Sequence, residues 1–99
     1  MTDADEGTIF AELYAVIEER KRTMPEGSYT ASLLTDEKGE NAVLEKLGEE
    51  LTEVLLAAKD GDTEELTHES ADLVYHLFVL LAAKEIPLSA LESELRDRR

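Results

Sequence analysis

The amino-acid sequence predicts one all-α domain, residues 1–99, built as a bundle of three to four helices. Apolar residues recur at spacings of three and four in several segments, as they do on one face of a helix. No segment alternates apolar and polar residues in the manner of a half-buried strand, and no internal repeat is present. A chain of 99 residues is long enough to bury one core.

The first predicted helix begins near Thr8, a plausible N-cap, after an acidic start of residues 1–7 that we expect to be frayed. The cations of ERKRTM suit the negative C-terminal end of a helix, and Pro25 with Gly27 ends it. The next segment, PEGSYTASLLTDEKGEN, combines glycine, proline and several hydroxyl side chains. It is predicted to be a loop, with at most one short turn over TASLL.

Two longer helices and a short one follow. The first is predicted over 42–59, capped by Asn41, and the second runs from an Asp62 cap to about residue 84. The connection DGD folds these two helices back on each other. After a proline, Ser89 resembles a cap for a last short helix that ends near Arg98.

Charge is the most unusual feature of the composition. The chain carries 24 acidic and 10 basic residues, a formal net charge of −14, and such a chain repels nucleic acids and anionic membranes. The longest uninterrupted apolar run, 77–83, is far shorter than the roughly 20 residues that span a bilayer. No signal-peptide pattern is seen at the start, and cysteine is absent, which excludes disulfides and fits a reducing cytoplasm.

The acidic composition has two interpretations, adaptation to high salt or an ordinary acidic protein. Under the first, the melting temperature rises between dilute buffer and molar salt, because screening weakens the repulsion among the carboxylates. A thermal melt in the two buffers checks this expectation. A melting temperature that does not rise contradicts it.

Acidic residues border the apolar stripes of the two long helices. On a helical wheel of about 100° per residue, Lys46, Glu50 and Glu53 fall within about 60°, and Glu69 and Asp72 are also about 60° apart. Because the helices are predicted to pack antiparallel, the acids of both can meet. Four converging carboxylates form a hard-oxygen site that suits Mg²⁺, with Mn²⁺ as a second possibility.

This pattern has an alternative interpretation as a solvated helix face. Glu occurs 17 times, so E-x-x-E spacing arises easily by chance, whereas its conjunction with E-x-x-D on the adjacent helix is more specific. His76 follows Asp72 by one turn on a mostly apolar helix. A histidine so placed is more often a hydrogen-bonded core residue than a metal ligand, and both interpretations stay open, whereas Tyr75 is interpreted as a packed residue whose hydroxyl is satisfied.

At these residues the sequence resembles a known family. The motifs are K-x-G-E-E-x-x-E at 46–53, E-x-A-D-L-x-Y-H-L-x-V-L-L at 69–81, and the S-Y-T segment at 28–30. They resemble phosphoribosyl-ATP pyrophosphohydrolase of histidine biosynthesis, a member of the all-α, MazG-like nucleotide pyrophosphohydrolase superfamily. The resemblance covers nearly the whole chain, from about Ile9 to the last residue. The carboxylates alone indicate the superfamily, whereas S-Y-T and D-L-x-Y-H point to this member.

The resemblance implies a reaction and an assembly. Members of the family hydrolyse phosphoribosyl-ATP between its α and β phosphates, giving phosphoribosyl-AMP and pyrophosphate, and they require magnesium. The implied fold is a MazG-like bundle completed by dimerisation, with a second copy of the chain as partner. Many bacteria fuse this domain to the cyclohydrolase of the next step, but this sequence has neither room nor zinc-binding cysteines for one, so we expect a stand-alone form.

The resemblance also implies roles for individual residues. The residues matching the metal ligands are Glu50, Glu53, Glu69 and Asp72. The residues matching the catalytic and substrate-binding positions are Glu49 for the attacking water, Lys46 for a phosphate, and Ser28, Tyr29 and Thr30 for phosphate or ribose. Arg20, Lys21 and Arg22 are further phosphate candidates, although cations at a helix end need no ligand to explain them.

Two other functions remain open from the sequence. The first is another MazG-like enzyme that cleaves a damaged nucleoside triphosphate, against which the S-Y-T segment argues. The second is a non-catalytic helical module for dimerisation or metal binding, which needs no S-Y-T segment and releases no pyrophosphate.

Overall fold

A computed structural model of the protein describes the backbone of residues 3–99 and the side chains from residue 9 onward. The elements in chain order are α1 (Asp3–Thr23), α2 (Tyr29–Leu34), α3 (Glu40–Asp60), α4 (Thr63–Ala83) and α5 (Leu88–Asp97). This part of the chain contains no strand, which confirms the predicted all-α class. The described residues form five helices rather than three or four, because residues 29–34 fold as a helix of their own.

Helix α1 begins earlier and ends where the sequence predicts. Its backbone is helical from Asp3, so Thr8 lies inside the helix rather than at its N-cap. The predicted frayed start falls partly on Met1 and Thr2, which lie outside the described residues. The helix ends at Thr23, ahead of Pro25, as predicted.

Helix α2 forms within the predicted loop, at the place where the sequence predicted a short turn over TASLL. The Ser28 hydroxyl accepts a hydrogen bond from the backbone N–H of Ala31 at 3.2 Å, which caps the helix. Thr30, Ala31 and Leu33 are buried, and α2 packs against both α1 and α3. A helix of six residues is too short for a recognisable apolar period, so its stability comes from this cap and from tertiary packing.

Helices α3 and α4 form an antiparallel hairpin that makes the most extensive helix–helix contact. Gly61 ends α3 with a left-handed φ of 72°, which a residue with a side chain adopts less readily. Asp62 caps α4 as predicted, since its carboxylate accepts a hydrogen bond from the Glu65 N–H at 3.0 Å. Because the turn is so short, the acids of both helices are held at fixed heights relative to each other.

The two other predicted caps, Asn41 and Ser89, are wrong. Helix α3 begins at Glu40, because a turn closed by the Gly39 N–H on the Asp36 carbonyl (2.8 Å) leads directly into it. Helix α5 begins at Leu88, directly after a proline whose φ of −73° and extended ψ make it the N-cap residue. In both cases backbone geometry, rather than a capping side chain, sets the start of the helix.

The core lies between α1 and α4 and is closed by α2 and α3. Its buried members are Tyr14, Ile17, Leu33, Ala42, Val43, Phe78, Val79 and Ala82. The ring of Phe78 meets Tyr14 and Phe10 edge-to-face, with centroids 5.5 and 6.0 Å apart. These contacts anchor the C-terminal half of α4 and leave its acid-bearing N-terminal half against α3.

Among the described residues, no single helix is long and apolar enough to cross a bilayer. Helices α4 and α5 reach that length and apolar character only when taken together, and they are bent by 117° relative to each other.

The apolar stripe predicted for α3 is only partly buried. Leu44, Leu51 and Leu55, here called the leucine stripe, are 43%, 50% and 58% exposed. The face that packs against the rest of the chain carries Val43, a member of the predicted stripe, together with Glu50 and Ala57, and it is turned by roughly 100° from the leucine stripe. The sequence therefore predicted one buried face where the helix has two apolar faces, and the carboxylate Glu50 lies in the packed one.

Candidate active site

Two buried acids face each other across the α3–α4 hairpin. Glu50 and Glu69 are each 8% exposed, and their carboxyl groups are joined by a hydrogen bond. The pKa of Glu69 is raised: a hydrogen bond with Glu65 lowers it, but the hydrogen bond to Glu50, burial and the charges of Glu50 and Asp72 outweigh that effect. Burial and the neighbouring acids therefore disfavour the charged form of the Glu69 carboxyl.

The acidic chain continues by one turn along α4. A hydrogen bond to the carboxyl group of Glu69, together with desolvation, raises the pKa of Glu65 above its ordinary value. The raised pKa values of Glu65 and Glu69 indicate that negative charge is disfavoured where these acids are held close together. A divalent cation relieves the same repulsion, so this chain has the electrostatic character of a cation site.

Asp72 and His68 complete the group of potential ligands on α4. One donor atom from each of His68, Glu69 and Asp72 lies within 4.8 Å of the others. The His68 Nε2 is 3.5 Å from an Asp72 carboxylate oxygen, and this imidazole is exposed. His68 was not among the residues predicted from the sequence, although its position four residues before Asp72 places both on one face of the helix.

The donor set fits the predicted metal. Carboxylate oxygens from Glu50, Glu69 and Asp72 are the hard ligands that Mg²⁺ and Mn²⁺ prefer. Glu53 is separate from these three acids. Its side chain is exposed, and among residues 9–99 no contact joins it to Glu50, Glu69 or Asp72. Its place as a ligand stays a prediction from the motif.

A shallow pocket of about 180 Å³ opens beside α3 and the turn that precedes it. Two ion pairs line it, Lys46 with Glu49 at 3.2 Å and Lys38 with Glu45 at 3.1 Å. The hydrogen bond to Glu49 raises the pKa of Lys46, so this amine stays protonated. Because exposed ion pairs contribute little stability, a phosphate group can displace the carboxylate from either lysine at small cost.

The three residues of the S-Y-T segment have different surroundings. Ser28 caps α2, and the buried Thr30 is hydrogen-bonded to the hydroxyl of Tyr75, which joins α2 to α4. Tyr29 is 48% exposed and stacks on the ring of Tyr75, with centroids 6.1 Å apart. Its hydroxyl is 2.8 Å from the Nε2 of His76. The interpretation of Tyr75 and His76 as packed, hydrogen-bonded residues is confirmed.

Two cations of the basic triplet at the end of α1, Arg20 and Lys21, have partners other than the acids of the hairpin. The ammonium of Lys21 donates to the carbonyl of Ala82 at 2.8 Å, near the C-terminal end of α4. That end is ten residues beyond Asp72 along the helix, roughly 15 Å away. Arg20 lies 4.0 Å from the carboxylate of Glu19. The structure therefore places Lys21 as a cation that satisfies the end of a helix.

Comparison with known proteins identifies the family. The sequence model described as phosphoribosyl-ATP pyrophosphohydrolase matches residues 10–99. The chain belongs to the phosphoribosyl-ATP pyrophosphohydrolase family. This match includes the S-Y-T segment and every acid of the hairpin, and it confirms the resemblance seen in the motifs.

Individual relatives agree with the family match over nearly full length. A phosphoribosyl-ATP pyrophosphatase of Haloarcula marismortui is 67% identical over 95 residues, which cover 96% of this chain and 97% of the relative. A protein of the same name from Halobacterium salinarum is 68% identical over 89 residues, 89% and 94% of the two chains. A more distant one from Trichlorobacter lovleyi is 54% identical over 90 residues, 91% and 82%.

Proposed function

We propose that this protein hydrolyses phosphoribosyl-ATP to phosphoribosyl-AMP and pyrophosphate, the second step of histidine biosynthesis. The single observation that carries the proposal is the buried acid pair of the α3–α4 hairpin in a chain of this family. The substrate is a small nucleotide. With a net charge of −14, neither nucleic acid nor an anionic membrane is proposed as a partner, and we place the reaction in the cytoplasm.

A divalent cation, Mg²⁺ or Mn²⁺, fits this site. Glu50, Glu69 and Asp72 would hold it, with Glu53 one turn beyond Glu50 as the remaining ligand of the motif. When bound, such an ion neutralises phosphate charge and lowers the pKa of bound water. The burial of Glu50 and Glu69 keeps these two ligands oriented, because a carboxylate fixed by packing loses little freedom when it binds.

The chain's other polar groups act on the phosphates and the water. Glu49 is exposed beside Lys46 and is proposed to orient or deprotonate the attacking water. When phosphate displaces Glu49 from Lys46, the ammonium stabilises the negative charge and the carboxylate becomes free to accept a proton. Lys38 lines the same pocket and is a second cation for the leaving pyrophosphate. Together these lysines reverse, locally, a field that is otherwise negative.

Turnover of a substrate panel tests this function against the other candidates. We expect kcat/KM for phosphoribosyl-ATP to exceed that for ATP and for modified nucleoside triphosphates by orders of magnitude. A preference for a triphosphate would favour a MazG-like enzyme of different specificity. Absence of pyrophosphate from every substrate, with a folded helical protein, would favour a non-catalytic module.

We further propose that two copies of the chain associate through α3. The leucine stripe is a line of large apolar side chains left open to solvent on the helix that carries the site. Contiguous exposed apolar surface of this kind marks an interaction site. A second copy presents the same stripe, so a two-fold pairing buries both at once.

Replacing Leu55 with glutamate is expected to convert the dimer to a monomer, because it places a charge within the apolar contact. Light scattering coupled to size exclusion measures the molar mass. Leu56→Glu is the matched control, since Leu56 is 55% exposed but lies about 100° around the helix from Leu55. A monomeric parent, or equal effects of the two variants, would contradict this interface.

A further inference from the structure

The two ring nitrogens of His76 have different partners. Its Nδ1 lies 2.9 Å from the backbone carbonyl oxygen of Asp72, and a carbonyl oxygen only accepts hydrogen bonds. Nδ1 therefore carries the proton of the neutral ring. In the neutral ring the Nε2 atom then has a lone pair, and the hydroxyl of Tyr29, 2.8 Å away, is placed to donate to it.

The surroundings hold this arrangement in place. His76 is 4% exposed, and it meets Tyr29 and Tyr75 edge-to-face, with centroids 5.7 and 5.3 Å apart. A Glu50 oxygen is 3.9 Å from Nδ1, so the ring lies directly behind the acid pair. Desolvation raises the pKa of Tyr29, which keeps its hydroxyl protonated and able to donate.

We infer that His76 is a positioning residue that turns the proton of Tyr29 inward, so that Tyr29 presents only acceptor lone pairs to the substrate. A phosphate oxygen also accepts, so it finds no hydrogen-bond donor there. A ribose hydroxyl carries the proton that this oxygen needs. Resting on the proposed function, this assigns Tyr29 to a ribose hydroxyl of the nucleotide.

The neighbouring serine has the opposite character. The Ser28 oxygen accepts a hydrogen bond from the N–H of Ala31, which leaves its own proton free to donate. Ser28 can therefore bind a phosphate oxygen while Tyr29, the next residue, binds a hydroxyl. The S-Y-T segment is then divided between two parts of the substrate, and Thr30 joins α2 to α4.

Two substitutions at His76 separate its two hydrogen bonds. The amide nitrogen of His76→Asn occupies the place of Nδ1 and still donates to Asp72, but it leaves Tyr29 without an acceptor. The amide oxygen of His76→Gln reaches the place of Nε2 and accepts from Tyr29. We expect His76→Asn to raise KM by roughly 3- to 10-fold at unchanged kcat, the size of one neutral hydrogen bond, and His76→Gln to stay near the parent.

Tyr29→Phe and the double variant test whether His76 acts through Tyr29. Tyr29→Phe is expected to raise KM by a similar factor, and adding His76→Asn to it is expected to change KM no further. Additive effects would overturn the positioning role, and so would an unchanged KM in His76→Asn. A fall in kcat at unchanged KM would overturn the ribose assignment, since Tyr29 would then be acting on the attacking water.

The tautomer of His76 gives a readout that needs no turnover. The sequence contains two histidines, so ¹⁵N spectra of the imidazoles are simple to assign with a His68 variant. We expect a protonated Nδ1 and a bare Nε2 on His76, with the Nε2 resonance shifted in Tyr29→Phe. The reverse tautomer would overturn the inference even if the enzyme were active. An inactive parent with the expected tautomer would instead reject the proposed function.

Discussion

Replacing Glu50 with glutamine is expected to lower kcat/KM for phosphoribosyl-ATP by more than ~100-fold, since loss of even an outer partner of a metal ligand costs 10- to 100-fold. Glu50 is buried at the centre of the packed face of α3 and is hydrogen-bonded to Glu69. Glutamine keeps the size of the side chain but removes the charge that a cation requires. Steady-state turnover with Mg²⁺ measures the effect.

The same variant is expected to fold as well as the parent or better. The glutamine oxygen can still accept the hydrogen bond from Glu69, while one of several crowded negative charges is removed. A thermal melt without metal checks this. Glu94→Gln, which makes the same charge change on the exposed surface of α5, is the control and should keep full activity. Intact turnover in Glu50→Gln would refute its role as a ligand.

Mg²⁺ is expected to raise the melting temperature of the protein by roughly 10–20 °C when its concentration is about 100 times its Kd. Binding to the folded state alone stabilises it by about 2.7 kcal/mol at that concentration, and about 1 kcal/mol moves the melting temperature of a domain this size by roughly 4–8 °C. A bound cation would also offset the repulsion among the acids around Glu69. Differential scanning fluorimetry measures the shift.

The control for this shift must separate binding from screening. A chain with a net charge of −14 gains stability from any salt, so NaCl of the same ionic strength is the proper reference. Glu50→Gln should lose most of the Mg²⁺-specific part of the shift and keep the part caused by screening. A melting curve that responds equally to MgCl₂ and to matched NaCl would argue against a cation site in the hairpin.

Local signals in the sequence were sufficient for the long helices and for the position of the acids. The end of α1 before Pro25 and the Asp62 cap of α4 follow from side-chain chemistry within one turn. The spacing of Glu50 on α3 and of Glu69 on α4 follows from the helical period. Since DGD is too short for any path other than a hairpin, their meeting was predictable as well.

Features that depend on tertiary packing were not predictable. Helix α2 is stabilised by burial against α1 and α3, and a segment of six residues is too short for its sequence pattern to indicate that burial. The start of α3 depends on a backbone turn at Gly39, whose φ of 64° no side chain signals. A helical wheel also does not say which of two apolar faces of α3 the rest of the chain covers, so the exposure of Leu51 was missed.

The contacts between α2 and α4 also depend on tertiary packing and were not predictable from the sequence. The sequence placed Tyr29 in a substrate-binding segment and His76 in the core, but their hydrogen bond joins residues 47 positions apart. It depends on how α2 is oriented, which is set by the Ser28 cap and by the link from Thr30 to Tyr75. The division of the S-Y-T segment into a donor and an acceptor therefore becomes visible only in the folded structure.

Pyrophosphate release from phosphoribosyl-ATP, made in situ from ATP and phosphoribosyl pyrophosphate by the enzyme of the preceding step, tests the central claim most directly. It should be measured with and without Mg²⁺, in low and in high salt, with Glu50→Gln in parallel. We expect release that requires the metal and is lost in the variant. Equal release from Glu50→Gln, or none from the folded parent in any salt, would contradict it.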